Sequence, residues 1–200
     1  MARRLVCVVE GDGEVQALPN LCSRIRDYLQ AWDWFVDPQP VKQPRSRLVD
    51  ERVPSPTRPC RADGTERAVR LALARPADAV LLTCDSDDDC PAAWGPSAKA
   101  VVTKVAAGDA VMVVREYEAW LLHAFSAAEL TKVGVKNPDR IRGAKEKLKR
   151  LVPKYKPTTH QLEITRKIDL ERLRRASDSF DKLVRSLAAI FGVTAPDRAQ

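Results

Sequence analysis

The 200-residue sequence lacks the features of several large classes of protein. No apolar run approaches the length of a membrane-spanning helix, so we expect no membrane partner. The five cysteines include no Cys-x-x-Cys pair, which argues against a structural zinc site and favours reduced thiols in the cytoplasm. No Gly-x-x-x-x-Gly-Lys-Ser/Thr motif occurs, so the chain by itself is no P-loop ATPase. The first residues lack the long apolar core of a signal peptide, and we interpret them as a first strand.

Charge is unevenly distributed along the chain. The whole sequence has 34 Lys and Arg against 27 Asp and Glu, a formal net charge of +7. Residues 1–100 contain 14 basic and 15 acidic residues, for a net charge of −1, whereas residues 101–200 contain 20 and 12, for +8. A metal pocket beside a surface that binds a polyanion would have this pattern, and so would a set of solvated helix faces.

Apolar runs alternate with helical patterns in the first half of the chain. Short, uncharged runs, typical of strands buried on both faces, occur at 5–9, 79–84 and 110–114. Helical spacing of apolar residues occurs at about 14–31, 65–74 and 97–107. This alternation predicts an α/β fold of the Rossmann-like kind, in which a mostly parallel sheet is flanked by helices.

The Pro-rich segment and the C-terminal part differ from this pattern. Proline is excluded from central strands, so we predict a long loop over 37–59 that has room for an edge strand. Beyond residue 125 the chain is helical and basic, with a polar loop at 154–161 and a last helix capped by Ser177 or Asp178. We therefore predict an α/β core at 1–125 and a basic helical extension, packed on that core, at 126–200.

Two acid clusters directly follow predicted strands. If those strands are parallel neighbours, Glu10, Asp85 and Asp87 emerge at the same edge of the sheet and converge. Crowded carboxylates repel one another, and oxygen ligands in that number suit Mg²⁺ or Mn²⁺. The acids available as further ligands, for one ion or for a second, are Glu14, Asp89, Glu116 and Glu118.

The Asp-x-Asp-x-Asp run at 85–89 suggests two other kinds of site. An EF-hand calcium loop has Gly at its sixth position and Glu at its twelfth, where this chain has Cys90 and Pro96, so the EF-hand is excluded. Phosphatases of the haloacid dehalogenase type use the first Asp of such a motif as a nucleophile. They place it after the first strand, whereas here it follows a later one, which disfavours that interpretation.

The order strand, Glu10-Gly11-x-x-Glu14, strand, Asp85-x-Asp87 resembles the TOPRIM pattern of topoisomerases, primases and overcoming-lysogenization-defect (OLD) type nucleases. The chain resembles more closely a bacterial TOPRIM-like family that is often encoded beside an ABC/SMC-type ATPase. The stretches that carry this resemblance are 9–11, 85–91, 115–120, 160–161 and 177–181.

The resemblance implies a TOPRIM-like fold and a metal-dependent nuclease that hydrolyses DNA or RNA phosphodiesters. It implies that Glu10 binds metal or moves a proton and that Asp85 and Asp87 bind metal, these three acids being catalytic. Glu14 matches a position that many TOPRIM domains fill with an acid. The neighbouring ATPase implies a two-component anti-phage defence system. The roles of Glu118 and His160 do not follow from the minimal TOPRIM core, which has no counterpart of the C-terminal part.

Basic residues of the C-terminal part are candidates for contacts with nucleic-acid phosphates. They are Lys154, Lys156, His160, Arg166 and Lys167. Taken singly, each would also suit a solvated charge or, for the histidine, a hydrogen-bonded structural role. A second hypothesis is therefore an adaptor subunit of the ATPase that binds metal or nucleic acid without turnover. The sequence leaves open the choice between DNA and RNA and whether copies of the chain associate.

Overall fold

A computed structural model of the protein describes residues 2–198 and shows the predicted α/β fold, a parallel sheet flanked by helices. The strands are β1 (Arg3–Val9), β2 (Trp34–Val36), β3 (Val41–Lys42), β4 (Ala79–Asp85) and β5 (Gly108–Val113). The helices are α1 (Glu14–Tyr28), α2 (Arg45–Leu48), α3 (Ala62–Leu73), α4 (Pro91–Val105), α5 (Tyr117–Leu122), α6 (Ala127–Lys132), α7 (Ala144–Leu151), α8 (Pro157–Thr165), α9 (Leu170–Ala176) and α10 (Asp178–Phe191), with a 3₁₀ turn at Pro138–Arg140. Within the described range, no helix has both the length and the hydropathy needed to cross a bilayer.

The strands run parallel in the order β2-β1-β4-β5. The short strands β2 and β3 both pair with β1, β2 near its start and β3 near its end. On its other side β1 pairs with β4, with Leu5 opposite Ala79 and Val8 opposite Leu82. The carboxyl ends of β1 and β4 are therefore adjacent, which is the arrangement that convergence of the two acid clusters requires.

Alternate residues of the strands enter two apolar cores on opposite faces of the sheet. Cys7 and Leu81 belong to the core under α1, α5 and α10, whereas Val8 and Leu82 belong to the core under α3 and α4. Because both faces are covered, every position along a central strand is buried, which is why these strands are uninterrupted apolar runs in the sequence.

The helices beyond residue 126 pack into the first of these cores. Helix α8 lies against α1, and α10 lies against β5 with Phe180 and Leu187 fully buried. Ser177 caps α10 by accepting a hydrogen bond from the backbone N–H of Phe180, which confirms one of the two predicted caps. The boundary at residue 125 stays a prediction, and the contacts place side chains from both parts of the chain in one core.

Two segments differ from their predicted structure. The polar loop expected at 154–161 is wrong from Pro157 onward, because α8 begins there with proline at its first helical position. Its buried residues include Gln161 and Thr165, so the inward face is partly polar and the helical pattern is hidden. The Pro-rich segment contains the short strand β3, which the prediction allowed, and differs from it in the helix α2, which begins at Arg45 directly after Pro44.

Candidate functional site

A cavity of about 430 Å³ lies at the carboxyl ends of β1 and β4. Its described lining consists of Glu10, Gly11, Asp12, Gly13, Glu14, Asp85, Glu116, Glu118, Lys145, Pro157, Thr158 and Gln161. The strand ends and the start of α1 form one side, and residues of α5, α7 and α8 form the other. Both parts of the chain therefore build the cavity, and its lining is strongly acidic.

The structure brings Glu10 and Asp85 together, as the predicted strand order requires. Oε2 of Glu10 accepts hydrogen bonds from the backbone N–H of Asp85, over 3.2 Å, and from the thiol of Cys84, over 3.0 Å. Oδ1 of Asp85 accepts a hydrogen bond of 3.0 Å from the backbone N–H of Tyr117, at the start of α5. Burial raises the pKa of Asp85 well above its usual value, and the charges of Glu14 and Glu10 raise it further. The two predicted ligands thus lie in a site with excess negative charge.

Glu14 is the first residue of α1 and is buried against the same turn. Its Oε2 accepts a hydrogen bond of 3.3 Å from the backbone N–H of Glu10. Burial, followed by the charge of Glu10, raises the pKa of Glu14 from 4.5 to about 7. Near neutral pH, without a cation nearby, this carboxyl group is therefore protonated for part of the time.

Glu118 is held by two donors from the C-terminal part. The hydroxyl of Tyr155 and Nε2 of Gln161 donate to Oε1 of Glu118 over 3.2 and 3.1 Å. The Gln161 amide packs directly on Gly13, where a Cβ atom would lie 2.4 Å from its Oε1. Burial raises the pKa of Glu118, and the hydrogen bond from Gln161 opposes this rise. Glycine at position 13 is therefore needed for Gln161 to reach Glu118.

The carboxylate oxygens around the cavity suit a hard divalent cation as ligands. The carboxylates of Glu10, Glu14, Asp85 and Glu118 supply oxygen ligands of the kind that Mg²⁺ and Mn²⁺ prefer, and Lys145 is the one basic side chain in the described lining.

Two further observations bear on how a cation would be bound in the cavity. Oε1 of Gln161 is buried and has no hydrogen-bond partner among the residues that the structure describes. Within residues 2–198, no group of three or more His, Cys, Asp or Glu side chains is arranged so that it could hold a metal ion. Mg²⁺ usually keeps several waters and takes only one or two carboxylates from the protein. The lining residues thus fit an open, hydrated ion rather than a closed cage.

Asp87 and Asp89, both predicted metal ligands, lie outside the cavity lining. Asp87 has a φ of +48° and its side chain is 58% exposed, with Oδ2 3.4 Å from Nε of Arg45. Asp89 is buried, with Oδ2 2.5 Å from Nη2 of Arg45. The structure does not place these two acids with Glu10 and Asp85 in the cavity, because the Arg45 guanidinium draws both to its own side.

The five predicted phosphate contacts lie at two ends of α8. Lys154 and Lys156 are exposed just before the end of α8 that lines the cavity, whereas Arg166 and Lys167 are exposed at the opposite end. At ~1.5 Å rise per residue, the two ends of this nine-residue helix are ~12 Å apart. Nδ1 of His160 accepts a hydrogen bond of 2.9 Å from the backbone N–H of Lys156, which stabilises the first turn. The structure therefore does not group these residues in one cluster.

Sequence reasoning missed four residues next to the acids: Arg45, Lys145, Tyr155 and Gln161. Gln161 had a signal, because it belongs to the stretch 160–161 that carries the family resemblance, where we singled out the histidine instead. Lys145 lies in a segment interpreted as a basic helix, and Tyr155 lies in one interpreted as a polar loop. Arg45 had no local signal, since only the tertiary return of the Pro-rich segment brings it to the acids.

The fold and the cavity define an α/β protein with an acidic pocket at the carboxyl ends of adjacent parallel strands. The chain belongs to the DUF4276 family, described as a domain of unknown function, whose match covers residues 9–188. That range includes all the acids of the cavity and most of the C-terminal helices. No curated protein and no solved structure matches the chain.

Proposed function

We propose that this protein is a metal-dependent nuclease of the TOPRIM type that hydrolyses phosphodiester bonds of DNA or RNA. One observation carries the proposal: Glu10 and Asp85, from the ends of adjacent parallel strands, line the same acidic cavity, and the Glu10 carboxylate accepts a hydrogen bond of 3.2 Å from the backbone N–H of Asp85. This edge of a parallel sheet is where α/β proteins usually bind their ligands. The TOPRIM-like order of the acids along the chain supports the same reaction class.

The acids of the cavity have distinct tasks in this proposal. Mg²⁺ or Mn²⁺ would be held by one or two of the carboxylates of Glu10, Glu14, Asp85 and Glu118 directly and by the others through its waters, and its charge would polarise a phosphodiester and lower the pKa of a bound water. The N–H of Tyr117 fixes the orientation of the Asp85 carboxylate. The second oxygen of Glu10 is then available to bind the ion or to accept a proton from the attacking water.

Basic groups at the rim would position the nucleic acid. Lys145 lines the cavity opposite the strand ends, where its ammonium group could pair with a phosphate of the substrate. Lys154 and Lys156 are exposed at the end of α8 that lines the same cavity, in position to contact neighbouring phosphates. The backbone would thus run past the mouth of the cavity and present one phosphodiester to the acids.

The partner in this proposal is an ABC/SMC-type ATPase that gates cleavage in a two-component anti-phage system. Support for it comes from the family resemblance carried by 85–91, 115–120 and 177–181.

A second candidate is a non-catalytic adaptor of that ATPase. It is favoured by the position of Asp87, which pairs with Arg45 outside the cavity. The cavity therefore contains only Glu10 and Asp85 of the three acids implied to be catalytic. In this case the acids would hold metal for structural reasons, and the chain would act by binding its partner.

The test is to incubate the purified chain, with and without the neighbouring ATPase, with plasmid and with total tRNA under Mg²⁺ and Mn²⁺. We expect metal-dependent cleavage that is lost in Glu10→Gln and Asp85→Asn proteins that remain folded. Asp88→Asn is the matched control, since Asp88 follows the same strand but pairs with Arg115 and Arg142 at the surface. Undiminished cleavage in both site variants would exclude the assignment. No cleavage under any metal, together with a stable complex with the ATPase, would favour the adaptor.

A further inference from the structure

A partly buried arginine, Arg45, lies at the strand ends but outside the cavity lining. The guanidinium of Arg45 approaches three carboxylates, those of Asp89, Asp87 and Glu10, with N–O distances of 2.5, 3.4 and 3.7 Å. It also donates hydrogen bonds to the backbone carbonyl oxygens of Asp85 and Ser86. Its side chain is only 15% exposed, so these groups form most of its surroundings.

The backbone that carries Arg45 is fixed in place. Arg45 begins α2, and Leu48 at the end of that helix is fully buried. The carbonyl oxygen of Leu48 accepts hydrogen bonds from the indole of Trp94 and from the N–H of Arg61, over 2.9 and 3.0 Å. The guanidinium is therefore held at the strand ends by a packed helix rather than by a mobile surface segment.

The two sides of the strand ends differ in charge balance. On the side of Arg45, the carboxylates of Glu10, Asp87 and Asp89 face the guanidinium groups of Arg45 and Arg58, the latter 3.7 Å from Asp89. On the cavity side, the described lining has six carboxyl groups and one lysine. Glu10 touches both sides. The unbalanced negative charge is thus confined to the cavity.

We propose that Arg45 occupies the place that a second metal ion takes in two-metal sites, so that the protein binds a single divalent cation, on the cavity side. The inference rests on the proposed metal-binding function and fixes its stoichiometry. In two-metal sites the ions lie ~3.5–4 Å apart and commonly share ligands. Here Glu10 is the shared carboxylate, with a guanidinium on one side and the cavity on the other.

Arg45 is a positioning residue in this arrangement. A guanidinium stays charged at every physiological pH, and its planar set of donors can bind several oxygens at once. It therefore orients Glu10 and ties the loop after β4 to β1 without the need for a metal. This accounts for the departure of Asp87 and Asp89 from the cavity, since both neutralise Arg45.

The experiment is a titration of the metal-free, full-length chain with Mn²⁺, in which free Mn²⁺ is followed by electron paramagnetic resonance. We expect the wild-type protein to saturate at one ion per chain. Arg45→Gln should take up a second, weaker ion, because it frees the carboxylates of Glu10 and Asp87. Arg58→Gln is the matched control: it also removes an arginine beside Asp89 but contacts neither of those two acids, so one ion is expected.

A second variant is needed in case Arg45→Gln does not fold, because that substitution leaves the buried carboxylate of Asp89 without Arg45 as its partner. Arg45→Met combined with Asp89→Asn removes both members of the 2.5 Å pair and should also bind two ions. Two ions in the wild-type protein, or a single ion in both Arg45 variants, would overturn the inference and leave the proposed nuclease intact. A wild-type protein that binds no Mn²⁺ would instead remove the metal-dependent function and the inference with it.

Discussion

The amide of Gln161 donates a hydrogen bond from Nε2 to Oε1 of Glu118, over 3.1 Å, and so joins α8 to α5 across the acid cavity. Tyr155 donates to the same oxygen over 3.2 Å. Because both donors use one oxygen, they fix the rotation of a buried carboxyl group. The C-terminal part is therefore a component of the site, beyond any contact it makes with nucleic acid.

Removing the Gln161 amide should weaken cation binding. We expect Gln161→Leu to lower the affinity for Mn²⁺ by about tenfold, the lower end of the effect of removing a group that orients a metal ligand. Gly13→Ala should also lower the affinity, because the new Cβ atom would displace the Gln161 amide from its position against residue 13. Calorimetric titration measures the affinity, with Thr159→Ala, on the exposed face of the same helix, as the control. Wild-type affinity in Gln161→Leu would show that this hydrogen bond does not support the ion.

Removing one charge from the acid cluster should stabilise the metal-free protein. Asp85 is partly buried beside Glu10, Glu14 and Glu118, and their charges add to the effect of burial in raising its pKa. Asparagine keeps an oxygen that can accept the hydrogen bond from Tyr117 but carries no charge. We expect Asp85→Asn to raise the free energy of unfolding by about 1 kcal/mol in the presence of a chelator, as relief of active-site strain commonly does. Urea unfolding at pH 8 measures this change. A loss of stability in Asp85→Asn would mean that the acids do not repel one another in the folded protein.

Glu14 should make the metal-free protein less stable as the pH rises. Its pKa is about 7 in the folded protein against 4.5 in its ordinary state, so between these values the folded protein holds a proton that the unfolded chain has lost. The resulting stabilisation is fully present below about 4.5, and it is lost as the pH passes through about 7. From 1.36 kcal/mol for each pKa unit, its size is at most roughly 3.4 kcal/mol.

The measurement is urea unfolding at pH 5 and at pH 8 in the presence of a chelator, for the wild-type protein and for Glu14→Gln. The substitution removes the titrating group, so the change in stability between the two pH values should differ between the proteins. The wild-type protein should lose more stability on going to pH 8. Parallel changes in the two proteins would exclude an elevated pKa for Glu14.

The sheet and the meeting of Glu10 with Asp85 followed from local patterns. Uninterrupted apolar runs identify strands that are buried on both faces, and a parallel arrangement of β1 and β4 brings their ends together. This reasoning needs only the sequence of each strand and the residue that follows it.

The positions of Asp87, Asp89 and Gln161 could not be obtained in that way. The side-chain positions of Asp87 and Asp89 are fixed by Arg45, which lies in a Pro-rich segment about forty residues earlier in the chain. The periodicity of the sequence does not indicate that this segment packs against the loop after β4. The sequence predicts a loop at Gln161 because α8 buries polar side chains, and its pattern therefore lacks the apolar stripe of an ordinary surface helix. These three positions depend on hydrogen bonds and ion pairs between segments that are distant in the sequence.

Binding of nucleic acid at the cavity should depend on the basic residues at one end of α8 and not on those at the other. Lys154→Gln with Lys156→Gln removes two charges at the end that lines the cavity, and Arg166→Gln with Lys167→Gln removes two at the far end. Each phosphate contact contributes about 0.9 to the slope of log affinity against log salt for duplex DNA, so the first pair should reduce that slope by about 2. The second pair, matched in charge, should leave it unchanged. Fluorescence anisotropy with a labelled duplex, in Ca²⁺ to avoid cleavage, measures both slopes. Equal effects of the two pairs would mean that the basic C-terminal part attracts nucleic acid through its overall charge, without directing it to the acids.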